Sequence, residues 1–154
     1  MQSDGTDAPV GGGGSGDVQV ATVPVSSAEI LALADTYKDL IEGVPGFVPV
    51  VTCITVAYLA GETPYTDAGG YLVMAVGPAT YWQLTGGGFV DQAESQLFIP
   101  TISLGTNAVP AALADLGGED LALYYAYATP EGTNLTDGDG TLSVTFAYFM
   151  VATS

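Results

Sequence analysis

In NLTDGDGT, residues 134–141, Asp137 and Asp139 stand one residue apart among glycines. Carboxylates alternating in this way can bind Ca²⁺, a hard cation that gathers about six to eight oxygen ligands, and glycines permit the sharp loop it needs. The segment lacks the later Glu of an EF-hand loop, and Asp-Gly is an ordinary hairpin turn. Asp137 and Asp139 are therefore weak metal candidates inside what reads first as a turn, and no metal or other cofactor is expected. Asn134-Leu135-Thr136 also forms a glycosylation acceptor triplet, for which chance is the plainer account.

Other reactive side chains are scarce. Lys38 is the only basic residue, and histidine is absent. Ser-His and Cys-His nucleophile systems are thereby excluded, as are metal sites built on imidazole. A glycosidase working through two carboxylates is formally open, but most Asp and Glu fall in expected turns. No enzymatic activity is expected. Cys53 is the single cysteine, so no intrachain disulfide can form; within VVTCITV it reads as a small apolar filler of a strand.

The remaining chemistry-bearing groups are aromatic. Tyr81 and Trp82, then Tyr124, Tyr125 and Tyr127, then Phe146, Tyr148 and Phe149 form clusters. Such rings can stack on sugars, but alternating aromatics also fill a sandwich core or a subunit contact. Tyr124 and Tyr125 point to opposite sides of a strand, so at least one leaves the core. Tyr124, Tyr127, Phe149 and Trp82 are the interface candidates.

Charge narrows the partners. With 17 acids against one base the net charge is −16, so nucleic acid and anionic membranes are not expected partners. The acidity has two readings: solubility for an apolar chain, or adaptation to high salt that screens carboxylate repulsion.

The elements that must position these groups read as strands. The chain has 154 residues, 48% of them apolar, 12% charged and 21 of them Gly, which suits one β-rich domain. Residues 1–16, MQSDGTDAPVGGGGSG, read as a flexible arm, and 17–154 as the folded domain. Met1 is followed by neither a basic region nor an apolar one, so no signal peptide is expected and the chain reads as soluble. Period-2 alternation runs through DVQVATVPV, FVPVVTCITVAYL, YLVMAV, TYWQL, QLFIPTISL, DLALYYAYA and TLSVTFAYFMVA. Pro24 marks the first of these as an edge or a strand end. In the second, residues 47–59, Val48, Val50, Thr52, Ile54, Val56 and Tyr58 alternate with Phe47, Val51, Cys53 and Leu59. In the last, Leu142, Val144, Phe146, Tyr148 and Met150 share one face while Phe149 and Val151 lie on the other. About eight strands result, as in an antiparallel β-sandwich or jelly roll. Between them SSAEILALADTYKDLIEG opens with Ser26 and Glu29 in a capping-box pattern, giving a short helix over 27–33 and then a strand. The last strand, apolar on both faces, must bury its second face, and oligomerisation is the simplest outlet.

These segments also resemble a known family. VATVPVSSAEILAL…TYKDLIEGVPGFVPVVTCITVAYLAGETPY, with Pro45-Gly46 and Gly61, Thr63 and Tyr65 at its turns, is similar to small structural proteins of tailed viruses of bacteria and archaea. TDGDGTLSVTFAYFMV resembles that family's closing hairpin and strand. The likeness covers most of residues 18–152, is distinctive in the first half, and has no counterpart over 77–115. It implies a β-sandwich on the capsid exterior, decorating or cementing the shell through the major capsid protein, as a homo-oligomer, a trimer. Tail or fibre components are the next reading, and a carbohydrate-binding module the third. The family's additional Lys and Arg are missing here, which suits a virus of a saline host.

Overall fold

The alternating segments become ten strands and two short helices in the computed structural model, which describes residues 16–66, 69–100, 113–126 and 134–153. In chain order these are β1 (Gln19–Val25), α1 (Ser27–Ala32), β2 (Lys38–Ile41), β3 (Phe47–Leu59), β4 (Tyr65–Thr66) and β5 (Tyr71–Val76). Then follow β6 (Ala79–Thr85), β7 (Gln96–Phe98), α2 (Leu113–Leu116), β8 (Leu121–Ala126), β9 (Thr136–Asp137) and β10 (Thr141–Ala152). Residues 1–15 of the arm expected over 1–16, Tyr127, residues 129–133 of the turn-rich stretch TPEGTNLTDGDG (129–140) and 101–104 of the strand expected over 96–104 lie outside the described residues.

Two antiparallel four-stranded sheets face each other, ordered β1-β10-β3-β7 and β2-β8-β5-β6, and β4 pairs with β9 in a small ribbon. With that ribbon set aside, the eight main strands run 1-8-3-6 in one sheet and 2-7-4-5 in the other. This is jelly-roll order, in which successive strands pass from sheet to sheet, save the paired β5 and β6, and the last strand inserts between the first and third. β1 is an edge strand, as Pro24 requires, since proline has no amide to give an outer neighbour. Among the described residues no helix is long and apolar enough to cross a membrane.

The core forms where the inner faces meet. Leu142, Val144 and Phe146 of β10 stand opposite Tyr58, Val56 and Ile54 of β3. They pack against Leu121, Leu123 and Tyr125 of β8 and Leu72, Met74 and Val76 of β5. All are essentially fully buried, and among the described residues no buried side chain is charged. β3 departs from simple alternation: the register with β10 slips between Ala147 and Tyr148, leaving Thr52 without an opposite residue. That bulge lets Val51 and Ile54 both face inward. It also turns Cys53 outward, which corrects its expected place as a core filler: the thiol is exposed.

α1 carries the chain from one sheet to the other. The Ser26 hydroxyl accepts from the Glu29 amide at 3.3 Å, and Glu29 Oε2 accepts from the Ser26 amide at 2.8 Å and from its hydroxyl at 2.9 Å. Oε1 accepts from Lys38 Nζ at 2.7 Å, so the single base of the chain locks the helix start to β2. Ile30 and Leu33 plug into the core, and the Leu33 carbonyl accepts the Tyr125 amide of β8. The sequence reading of a helix over 27–33 followed by a strand therefore holds to within one residue.

Hydrogen bonds from Lys38, then from the Ser26 backbone and hydroxyl, hold the Glu29 carboxyl down at about 2, against an ordinary 4.5. A depressed folded value means the stabilisation is complete above about 4.5 and is lost as the pH falls through about 2. The side chains remain 29% and 40% exposed, so solvent screening keeps the pair and cap to about 1 kcal/mol. Glu29→Gln is expected to lower unfolding stability by about that amount near neutral pH, and urea melts of variant and parent should converge as the pH approaches 2.

Candidate functional site

The acidic turn singled out in the sequence is a structural turn. Asp139 Oδ1 accepts from the Thr63 amide at 2.8 Å, and the Asp139 amide donates to the Thr63 carbonyl at 3.1 Å. Asp137 Oδ2 takes up the hydroxyls of Thr66 at 3.4 Å and Thr136 at 3.5 Å. Asp137 and Gly138 both have positive φ, 55° and 75°, a turn geometry in which Gly138 lies flat against the Tyr65 ring. Tyr65 in turn donates its hydroxyl to the Gly140 carbonyl at 2.7 Å, and burial holds its phenol well above the ordinary value. The two carboxylates thus tie the β4–β9 ribbon together. Among the described residues, no group of three or more Cys, Asp or Glu is placed to hold a metal ion. Gly138→Ala, which forces a methyl into the Tyr65 ring at positive φ, is expected to lower stability by more than about 1 kcal/mol in denaturant melts.

The interface candidates separate. Trp82 is only 5% exposed, so its expected place at an interface is corrected to the core. It stands opposite Met74 and meets Phe98 edge-on at 6.0 Å. A bulge at Tyr81, which has no opposite residue in β5, accompanies this inward turn. The Tyr81 hydroxyl then donates across the sandwich to the Pro49 carbonyl at 2.8 Å. Tyr125 and Phe146 are buried as well, so the aromatic clusters do not form an open stacking platform. Tyr124 and Phe149 are half-buried on the outer faces of the two different sheets, so the fold does not bring them together.

Phe149 instead belongs to a feature that the search for aromatics missed. No residue of β1, β3, β7 or β10 is charged. The rows across the outer side of that sheet are Val20–Ala147–Cys53, Thr22–Thr145–Thr55 and Pro24–Ser143–Ala57–Leu97, flanked by Phe149–Val50 and Thr141–Leu59. Val20 is 72% exposed, Leu97 65%, Ile99 just beyond β7 66% and Leu59 54%. At one end α2 lies against β3, and there Val48 is buried. The other sheet carries Lys38 and Asp39 in β2, and burial, then Asp120 and Glu42, push the Asp39 carboxyl upward. One outer face is therefore free of charge, with exposed apolar side chains set among Thr and Ser hydroxyls, on a chain of net charge −16. Its signal was present in the sequence as strand segments without Asp, Glu, Lys or Arg; only the strand order shows that four of them share a sheet.

A comparison with protein-family models and with curated protein sequences finds no match. The likeness to virion proteins therefore rests on the residues quoted for it.

Burial gives the two corrected residues opposite expected behaviour. Trp82→Ala should lower stability by about 3–5 kcal/mol through loss of a core ring. Cys53→Ser should stay within about 0.5 kcal/mol of the parent, because the side chain is exposed. Equilibrium urea unfolding of both variants measures the contrast.

Proposed function

We propose that this chain is a virion structural protein that decorates or cements the outside of a capsid shell, binding the major capsid protein as a homo-oligomer. The carrying observation is the charge-free outer face of the β1-β10-β3-β7 sheet on an otherwise acidic sandwich. Flat apolar faces of this kind mark contacts with other molecules, whereas the acids elsewhere keep assembled particles apart in solution. Jelly rolls recur in viral coats, a fold-level analogy that adds modest support. The resemblance of the first half and of the closing hairpin to virion proteins points the same way. The mechanism is passive: binding through preformed surface, with no chemical step.

The carbohydrate-binding reading loses its basis with Trp82, Tyr125 and Phe146 in the core. Lys38, the sole base, is engaged by Glu29, so phosphate-bearing partners have no cation to meet among the described residues.

Gold-labelled antibody against the purified protein, applied to intact particles from the source culture, tests the proposal by electron microscopy. Label spread over the shell is the expected result. Particles without label would contradict it, and label confined to tails or fibres would replace the capsid location with the tail reading.

A further inference from the structure

The four strands without charge also say what kind of surface they fit. We infer that the outer face of the β1-β10-β3-β7 sheet seats a second copy of this chain, in a two-fold, sheet-on-sheet contact that salt closes. The inference rests on the reading of this chain as an assembling structural protein and names the occupant of the same face.

Charge selects the copy. Every acid among the described residues lies in α1, β2, α2, β9, a connection or, for Asp17, the segment just before β1, and none lies within the four strands of this face. Two copies meeting elsewhere set carboxylate against carboxylate, with one lysine per chain to offset them. A basic partner seeking acids finds none here. A second copy of the same face brings only Val, Ala, Thr, Ser, Leu, Phe, Pro and Cys against their like, so no charge is desolvated.

Three of the hydroxyls on the face already have partners. Thr22 and Thr145 join their hydroxyls across β1 and β10 at 2.9 Å, and the Thr52 hydroxyl donates to the Ala147 carbonyl at 3.2 Å. Groups that already have partners do not become unsatisfied when water leaves.

Both edges of the sheet discourage the alternative of strand addition. β1 carries Pro24, and β7 is only three residues long. The broad side is what remains. From Phe149↔Val50 to Thr141↔Leu59 the paired strands run about 30 Å, at about 3.3 Å per residue. With β1 and β7 alongside at about 4.8 Å per strand, the projected area is roughly 450 Å². Side-chain relief raises its accessible surface towards the about 800 Å² that each partner brings to a standard interface. Sheets stacked this way sit about 10 Å apart, a spacing small residues such as Ala57, Ala147 and Ser143 allow.

Salt enters through the rest of the surface. Two chains of net charge −16 repel one another while they approach. The screening length falls from about 10 Å at 0.1 M to about 3 Å at 1 M, so the contact is expected to close as ionic strength rises.

Cys53 reports on the contact, being the only thiol and lying exposed in the row between Thr22–Thr145–Thr55 and Phe149–Val50. Light scattering in low and in molar NaCl, with the rate of iodoacetamide alkylation read in parallel, makes the test. The expected result is a monomer at low salt, a dimer in molar salt, and alkylation of the dimer slower by about tenfold or more. Thr145→Asp should abolish both changes. Val20→Asp, on an exposed edge position outside the core, repeats the test if Thr145→Asp fails to fold. Gln83→Asp, on the exposed side of the other sheet, should dimerise like the parent. A monomer in molar salt, a dimer with freely reacting Cys53, or a trimer would each overturn the two-fold contact. Antibody labelling of particles decides the coat-protein reading independently, since a trimer would overturn this contact and leave that reading standing.

Discussion

The insertion of β10 between β1 and β3 is the constraint on which the rest of this structure depends. Without it β1 has no neighbour and β3 has only the three residues of β7. The pairing joins residues far apart in sequence, Val25 with Leu142 and Phe47 with Ala152, so the entropy of closing nearly the whole chain must be offset by apolar burial on one strand. Leu142, Val144 and Phe146 supply it, meeting Tyr58, Val56 and Ile54 on one side and the opposite sheet across the core. The bulge at Thr52 keeps that match over the length of both strands by adding one residue to β3 where twist and register would otherwise part.

That same strand pair creates the charge-free face. Side chains alternate across a strand, so a strand fully apolar on its inner side and Thr, Ser, Ala, Phe and Val on its outer side presents an uncharged plane to solvent. Among the described residues the acids lie in connections, in helices, in the short strands β2 and β9 and, for Asp17, just before β1. The protein thus has two kinds of surface. One repels its like, and the other has nothing to repel with. An assembling coat component needs that division: contacts where charge is missing and separation where it is dense.

Much of the fold was legible in the sequence. The alternation gave the strands, Pro24 the edge, and Ser26 with Glu29 the helix start, because each of these depends on neighbours within a few residues. The places where the reading failed are bulges. Cys53 was read as a filler in a strand apolar on both faces, whereas the bulge at Thr52 puts Val51 inside and Cys53, two residues on, outside. Trp82 looked available for an interface because strict alternation said nothing of the bulge at Tyr81 beside it, or of Phe98 arriving from the other sheet. The Asp137–Asp139 turn was read correctly as a turn, yet its partners Thr63, Tyr65 and Thr66 come from a distant loop that spacing does not reveal. The charge-free face was visible as missing charge, but which uncharged segments lie side by side is set by jelly-roll order.

Hydroxyl-radical footprinting of the protein in molar salt, from dilute to concentrated solution, tests most directly whether the charge-free face is where this chain meets other molecules. The account requires Val20, Leu97 and Phe149 to lose reactivity together as concentration rises, while Tyr37, exposed away from that sheet, stays as reactive as before. Protection of Tyr37 with undiminished oxidation of Val20, Leu97 and Phe149 would contradict it.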